Sequence, residues 1–277
     1  PVATISYYVH SFLSEAIANQ GFKVAISGSG ADELFTGYYD HYAFWLAEMS
    51  DRDDRAELVK QWRQSYGRFV QNPQLQDPLI FASRPEARDH IYLNRSLFND
   101  LLIDPIEEDF TEETYANNPL RNRMLNELSH ETVPVLLHED DLNSMYWSVE
   151  NRSPFLDAEL AEFVYSVPNE HLIHDGFAKW LLRAAVADIA PEKPLRDRRK
   201  RGFNASIESV IDRQNPTTLE RLLDDGPIFD IVDRSKFEIF LMQDMTDNSF
   251  SKFLFSFISA KLFTEIASDG AANWAAT

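Results

Sequence analysis

The sequence contains no cysteine, which excludes disulfides, thiolate metal ligands and cysteine nucleophiles within its 277 residues. This absence fits a reducing compartment, and we expect a cytoplasmic protein. Glycine is also scarce, at 9 residues, which argues against low-complexity linkers and collagen-like repeats. No apolar run approaches the roughly 18 residues that a membrane-spanning helix needs, so no membrane span is predicted.

Basic residues are in short supply as well. Lysine and arginine total 26 against 45 aspartate and glutamate residues, which gives a net charge of −19. A chain this acidic repels phosphate backbones, so no nucleic-acid partner is expected. The apolar fraction of 44% is ordinary for a globular domain and provides enough material for a sizeable core.

The start of the chain has the order of elements expected of a parallel α/β fold. Its patterns predict a helix over 4–20, a strand over 22–26, a glycine loop over 27–30 and a helix that begins at Ala31. This order is typical of a parallel sheet whose functional loop follows the carboxyl end of a strand. Only this one strand is convincing, so we expect the other strands upstream or in another chain.

We therefore predict an α/β fold in which residues 1–50 end a nucleotide-binding core and residues 51–277 are mainly helical. The helical patterns lie at 53–70, 95–103, 119–147, 157–166, 177–189, 206–212, 217–224, 234–243 and 249–267. The aromatic stripe within 250–258 is interpreted as facing the core. The alternative is an interface between two copies, which would make a homodimer.

The loop at residues 27–33, SGSGADE, is the most informative stretch. Glycines let the backbone approach a ligand closely, and the carboxylates of Asp32 and Glu33 are the kind of ligand that Mg²⁺ prefers. Together they indicate a site for Mg²⁺ and a nucleotide. The alternative is a tight strand-to-helix turn in which the two acids merely stabilise the helix N-terminus.

Residues 24–38, VAISGSGADELFTGY, closely resemble the SGxGxDExFxGY signature of the asparagine synthetase family. Three further segments resemble the family's motifs in the right order. Residues 141–157 resemble its DxxSM…ExRxPFLD segment, residues 176–183 its GxxKxxLR helix, and residues 198–203 its KxGF loop. The resemblance extends from residue 1 to about residue 205.

The resemblance implies the helix-rich C-terminal part of an adenine-nucleotide alpha hydrolase-like (ATP-pyrophosphatase) synthetase domain. It also implies an amidation that uses ATP and Mg²⁺. A small-molecule carboxylate attacks the α-phosphate, pyrophosphate leaves, and ammonia, commonly taken from glutamine, displaces AMP from the acyl-adenylate. Such a reaction requires cations and N–H groups around the departing pyrophosphate.

Site roles follow from the same resemblance. Asp32 matches the family's Mg²⁺–pyrophosphate aspartate, with Glu33 as its companion, and Lys179 matches the lysine that stabilises negative charge during the reaction. In the basic run 196–201, Lys200 or Arg201 is expected to face a pyrophosphate; the alternative is a solvated charge run. The residues expected to line the nucleotide are Ser27, Gly28, Ser29 and Gly30.

The sequence departs from the family pattern in two ways. The SGGxDS pyrophosphate loop and the glutaminase domain are absent, so we expect a piece of a longer synthetase that cannot adenylate a substrate alone. The alternative is a non-catalytic or split-enzyme subunit that needs a partner chain. Ser29 stands where the family commonly has an acid and related β-lactam-forming enzymes have tyrosine, which favours a sugar or a specialised metabolite over aspartate as acceptor.

Other polar residues are interpreted as structural. Glu150, Arg152 and Asp157 are expected to form an internal polar network beside the site; the alternative is direct contact with the substrate. His130 and His138 are expected on a helix surface, because no third metal ligand accompanies them.

Overall fold

The computed structural model describes residues 2, 4–91, 95–105, 110–202, 205–243 and 248–275. Its helices, in chain order, are α1 (Ile5–Asn19), α2 (Ala31–Phe35), α3 (Tyr39–Glu48), α4 (Arg55–Gln64), α5 (Ile80–Ser83), α6 (Arg95–Leu101), α7 (Pro119–Asn126), α8 (Val133–Tyr146), α9 (Ala158–Ser166), α10 (Trp180–Ala185), α11 (Glu192–Arg196), α12 (Pro216–Leu223), α13 (Arg234–Leu241) and α14 (Asn248–Ala275). The two strands of the described residues are β1 (Val24–Ile26) and β2 (Glu150–Arg152).

The second strand corrects the expectation of a single strand. β2 pairs in parallel with β1, with Val24 opposite Glu150 and Ile26 opposite Arg152. Its sequence, Glu-Asn-Arg, lacks the β-branched and aromatic residues that mark strands. Backbone pairing with a distant segment therefore holds it extended, and a local pattern cannot reveal such pairing.

Several helices are shorter than predicted. The pattern over 119–147 is divided into α7, a π-helical segment at Glu127–Glu131, and α8. Pro134 lies in the first turn of α8, where its missing N–H costs nothing, although it would interrupt a longer helix. The predicted helix over 206–212 is only a 3₁₀ turn, Ile207–Ser209, and the Ser206 hydroxyl caps its start by accepting a hydrogen bond from the Glu208 N–H.

The contacts divide the chain into two compact units, and the first comprises residues 1–16, 92–110 and 203–277. Its core is rich in phenylalanine: the rings of Phe237 and Phe257 stack with centroids 3.7 Å apart. Leu254 and Phe257 are buried, and Phe250 packs against the same cluster. The prediction that the aromatic stripe of α14 faces a core is therefore confirmed.

The second unit comprises residues 17–91 and 111–202 and holds every predicted site residue. Its larger core packs α3 against α4, α5 and α7, with Tyr42, Phe44 and Leu46 almost completely buried. A smaller cluster around Leu34, Phe35 and Val164 joins α2 to α9. The signature helix is thus fixed by the apolar contacts of Leu34 and Phe35.

No helix within the described ranges combines the length and the apolar character that crossing a membrane requires.

Candidate active site

The two parallel strands place a cluster of hydroxyl groups at their carboxyl ends. Oγ of Ser27 lies 3.0 Å from Oγ of Ser29 and 3.0 Å from Oγ of Ser153. The N–H of Ser27 donates to the carbonyl of Arg152 over 2.8 Å and continues the strand pairing. The glycine loop therefore lies where loops of parallel sheets commonly bind ligands.

Gly30 ends this loop in a conformation that requires glycine. Its φ is +88°, in the left-handed region, and a Cβ atom at this position would overlap the side chain of Leu156. Its carbonyl accepts the N–H of Leu34 over 3.0 Å, so α2 begins directly after it. Asp32 consequently lies in the first turn of α2.

Gly37 makes room for the Asp32 carboxylate. The N–H of Gly37 donates to the carbonyl of Asp32 over 2.9 Å, and a Cβ atom on residue 37 would overlap that aspartate's carboxylate. The hydroxyl of Tyr66 donates to the Gly37 carbonyl over 2.8 Å and fixes this contact. Any larger residue at position 37 would therefore displace the carboxylate.

Lys179 lies at the N-terminal cap of α10 after a tight turn. His174 and Phe177 exchange two backbone hydrogen bonds across this turn, and the N–H of Trp180 donates to the Leu172 carbonyl over 2.9 Å. Lys179 itself has a φ of +57°, in the left-handed region that lysine rarely adopts. Backbone outliers that their surroundings hold in place are often found at functional sites.

The basic segment, residues 196–201, sends neighbouring side chains in different directions. The Nε atoms of Arg199 and Arg201 donate to the carboxylate of Asp197 over 2.9 and 2.8 Å. Lys200, which lies between them, turns towards the first turn of α2. The last residue of the predicted loop motif, Phe203, lies outside the described residues.

Two lysines from distant parts of the chain meet at the carboxylate of Asp32. Nζ of Lys179 lies 2.8 Å from Oδ1, and Nζ of Lys200 lies 2.7 Å from Oδ2. Burial raises the pKa of Asp32, but the two ammonium groups outweigh it, and the pKa falls below its ordinary value. Asp32 is therefore ionised at neutral pH, with one cation at each oxygen.

These side chains open onto a cavity of about 430 Å³ with a basic lining. The acidic residues of the lining are Asp32 and Asp197. The basic ones are Lys179, Arg183, Lys193, Arg198, Arg199, Lys200 and Arg201. Such a concentration of cations in a chain of net charge −19 is suited to a polyanion.

Glu33 does not line this cavity. Its side chain is buried, and its Oε1 accepts the hydroxyl of Tyr38 over 2.6 Å. Burial and the charges of Glu33 and Asp32 raise the pKa of Tyr38, so the phenol keeps its proton. The ammonium of Lys200 lies 4.9 Å from the centroid of the same ring. The structure thus gives the two adjacent acids different surroundings, and it adds Tyr38 to the candidate site.

The internal network predicted from Glu150, Arg152 and Asp157 is wrong. Glu150 and Arg152 are two residues apart on β2, which places both on one exposed face, where they pair over 2.8 Å. Asp157 instead caps α9, because its Oδ1 accepts the N–H of Leu160 over 3.0 Å.

Metal-ligand side chains do gather elsewhere in this unit, at Asp40, His41 and Glu127, which are all buried. Nε2 of His41 lies 2.5 Å from Glu127, and the guanidinium of Arg123 lies within 3.5 Å of both acids. We interpret this group as a charge network, because Arg123 already supplies the positive charge that an ion would bring. His130 and His138 are exposed, which confirms the helix-surface prediction.

The sequence profile of the asparagine synthase family matches residues 1–263. This chain belongs to the asparagine synthase family. Asparagine synthetase (glutamine-hydrolyzing) 1 of Bacillus subtilis strain 168 is 24% identical over 203 residues, which are 69% of this chain and 32% of the relative. Asparagine synthetase (glutamine-hydrolyzing) 3 of the same strain is 29% identical over 172 residues, 62% of this chain and 25% of the relative. The chain thus spans about a third or less of the length of these relatives.

Membership of the asparagine synthase family implies an adenine-nucleotide alpha hydrolase-like fold, and a helix-rich chain with a small parallel sheet agrees with it at that level. The Asp32 carboxylate offers oxygen ligands of the kind that Mg²⁺ prefers. The carboxylate is ionised, faces the cavity and is fixed in place by Gly37. Since both of its oxygens are paired with lysines, a cation could bind there only as a lysine moves away.

Proposed function

We propose that this chain is part of the synthetase domain of an ATP-dependent amidotransferase. A substrate carboxylate attacks the α-phosphate of ATP, pyrophosphate departs, and ammonia, supplied by glutamine, displaces AMP to form the amide. The observation that carries the proposal is the convergence of Lys179 and Lys200 on Asp32 in a cavity lined by arginines. That arrangement supports binding of the triphosphate and of the departing pyrophosphate.

Each of the three residues has a separate role in this proposal. Mg²⁺, when bound, would neutralise part of the phosphate charge. Asp32 would hold the ion. Lys179 and Lys200 would release this carboxylate and form ion pairs with phosphate oxygens instead. Each ammonium group would exchange one anionic partner for another, so neither would be left unpaired in the cavity as charge develops. Glu33 would hold Tyr38 under Lys200 rather than contact the ion directly.

The rest of the active site is proposed to come from outside this chain. The relatives are at least three times as long as the matched region, which leaves room for an upstream synthetase half and a glutaminase domain. Residues 1–50 would then end the nucleotide-binding core, and the hydroxyl cluster of Ser27, Ser29 and Ser153 would lie beside the nucleotide with Gly28. A cytoplasmic location and a homodimer stay predictions.

The test is ATP–pyrophosphate exchange by the protein in its full natural length. We expect exchange that depends on a carboxylate acceptor and falls about 100-fold or more in Asp32→Asn and Lys179→Ala. Matched controls are Asp54→Asn and Lys60→Ala, which break exposed ion pairs on the same unit and should leave exchange unchanged. If both site variants catalyse exchange at the wild-type rate, the site assignment is overturned.

An absence of exchange with every acceptor would favour the non-catalytic alternative. Ser29 is the residue that bears on the identity of the acceptor. The Ser29 hydroxyl contacts the Ser27 hydroxyl, and this side chain offers neither a carboxylate nor a phenol. We propose an acceptor other than free aspartate. Efficient asparagine formation from aspartate by the wild-type protein would contradict this part of the proposal alone.

A further inference from the structure

The guanidinium of Arg183 donates its hydrogen bonds to backbone carbonyls of two separate segments. Nε donates to Ala178 over 2.9 Å, Nη1 to Pro194 and Leu195 over 2.7 and 2.8 Å, and Nη2 to Asp197 over 2.8 Å. A planar group with donors in a fixed fork can hold such a set of acceptors, and an ammonium group cannot reproduce it.

The two segments that Arg183 joins are those that carry the lysines of the site. Ala178 directly precedes Lys179, and Asp197 begins the stretch that leads to Lys200. Arg183 itself lies on α10, one turn after Lys179. One rigid side chain therefore connects the backbone at Lys179 with the backbone just before Lys200.

Phe177 provides a second contact between these segments. Its ring centroid lies 5.4 Å from Cζ of Arg183 and 4.3 Å from Cζ of Arg198. Both guanidinium groups therefore lie against one ring, which adds cation–π attraction to the hydrogen bonds. The basic segment is thus held at its start by Arg183 and in its middle by Arg198.

We propose that Arg183 is a positioning residue that orders the basic segment, so that Lys200 meets Asp32 opposite Lys179. Its effect on catalysis rests on the function proposed above, but its effect on the order of the segment does not. Arg183 also lines the cavity, but the hydrogen bonds of its guanidinium go to carbonyls of the chain, and the proposed role acts through this backbone contact.

Limited trypsin digestion tests the ordering directly in the full-length protein. Cleavage after Arg198, Arg199, Lys200 and Arg201 is followed by mass spectrometry. We expect it to be at least about fivefold faster in Arg183→Ala and also faster in Arg183→Lys, because cleavage follows the open population of the segment.

The matched control is Arg121→Ala. Arg121 is also a partly buried arginine whose guanidinium donates to backbone carbonyls, those of Val164 and Val167, but it does not line the cavity. Its loss should lower the unfolding temperature without exposing the basic segment to trypsin. A general loss of stability would instead speed cleavage equally in Arg121→Ala and Arg183→Ala, and that result would overturn the proposal.

Pyrophosphate binding provides the functional readout. We expect the apparent KM for pyrophosphate in the exchange reaction to rise about tenfold or more in Arg183→Ala, because Lys200 is no longer held in place. Added guanidinium ion, below denaturing concentrations, should restore both pyrophosphate affinity and trypsin resistance to Arg183→Ala, and it should change neither property of Arg121→Ala.

The outcomes separate this inference from the proposed function. If the wild type shows no exchange but Arg183→Ala exposes the segment and guanidinium protects it, the function fails and the positioning role stands. If the wild type exchanges and Lys179→Ala does not, while Arg183→Ala keeps wild-type trypsin resistance and KM, the positioning role is overturned and the function stands.

Discussion

Nζ of Lys200 donates to Oδ2 of Asp32 over 2.7 Å, although 168 positions separate the two residues in the chain. The contact joins the basic segment to the first turn of α2, and Lys179 occupies the other oxygen. An anionic ligand of the cavity, as proposed above, would therefore compete with Asp32 for both ammonium groups. This competition makes the effect of removing the carboxylate charge depend on whether a metal ion accompanies the ligand.

The substitution Asp32→Asn should have opposite effects on two binding reactions. With Mg²⁺ present, pyrophosphate should bind more weakly, because the carboxylate that is proposed to hold the ion is lost. Without metal, pyrophosphate should bind roughly tenfold more tightly, a gain of about 1.4 kcal/mol, because Lys179 and Lys200 are released from an anionic partner. Titration calorimetry with Mg²⁺ and with a chelator measures both effects.

The control for this substitution is Asp54→Asn, which removes the same charge from an exposed pair with Arg52. It should change neither binding reaction, because it alters net charge without releasing a cation into the cavity. Weaker metal-free binding in Asp32→Asn would show that the two lysines need the carboxylate to stay in place.

The left-handed backbone of Lys179 predicts that two substitutions of this residue will differ in stability but not in exchange activity. Lys179→Gly should be about 1 kcal/mol more stable than Lys179→Ala, because glycine adopts a φ of +57° without steric cost. Both variants should lose exchange activity to the same extent, since both lack the ammonium group. Urea denaturation compares the stabilities; equal values for the two variants would mean that the backbone relaxes on substitution.

Two glycines of the signature should respond differently to alanine. Gly37→Ala should destabilise the protein by roughly 1–3 kcal/mol and abolish exchange, because its Cβ atom would overlap the Asp32 carboxylate. Gly28→Ala places a Cβ atom in open space and should leave stability unchanged. If Gly28 lies against the nucleotide as proposed, Gly28→Ala should nevertheless raise the KM for ATP, and an unchanged KM would remove it from the site.

Local patterns predicted the beginning of the second unit well. The strand, the glycine loop and the acids of α2 follow from branched residues, glycines and helix-start signals that lie within about fifteen positions. β2 was missed because Glu-Asn-Arg is extended only through pairing with β1. The interruption at Glu127–Glu131 was missed because the segment stays helical and changes only its hydrogen-bonding pattern, to that of a π-helix.

The candidate site was predictable as a set of residues but not as an arrangement. Family motifs identified Asp32, Lys179 and Lys200 as candidate site residues. Their spacing in the sequence does not indicate that both ammonium groups meet one carboxylate. The opposite surroundings of Asp32 and Glu33 depend on where Tyr38 packs. The sequence identified Arg183 only as part of a family motif. Its role could not be predicted, because its partners are backbone carbonyls, which are the same in every residue type.

The buried ion pairs of Glu112 predict a pH-dependent stability. Its carboxylate accepts two hydrogen bonds from Arg88, over 2.9 and 2.8 Å, and one from Arg123 over 2.9 Å. Burial raises the pKa of Glu112, but the two arginines outweigh it and lower the pKa below its ordinary value. Glu112→Gln should therefore lower the free energy of unfolding at pH 7 by about 2 kcal/mol, because Arg88 loses the carboxylate it pairs with, whereas Arg123 keeps Asp40, Glu127 and Glu131.

The direction of the pH dependence follows from the lowered pKa of Glu112. Its stabilising contribution is complete above the unfolded-state pKa of about 4.3 and is lost as the pH falls through the lower folded-state value. Denaturant unfolding should thus show a constant difference between wild type and Glu112→Gln from pH 7 to 5, and a shrinking difference below about pH 4. The control Glu57→Gln breaks an exposed pair with Lys60 and should cost under about 0.5 kcal/mol at every pH. A difference that grew on acidification would contradict the assignment of an ionised Glu112 between two arginines.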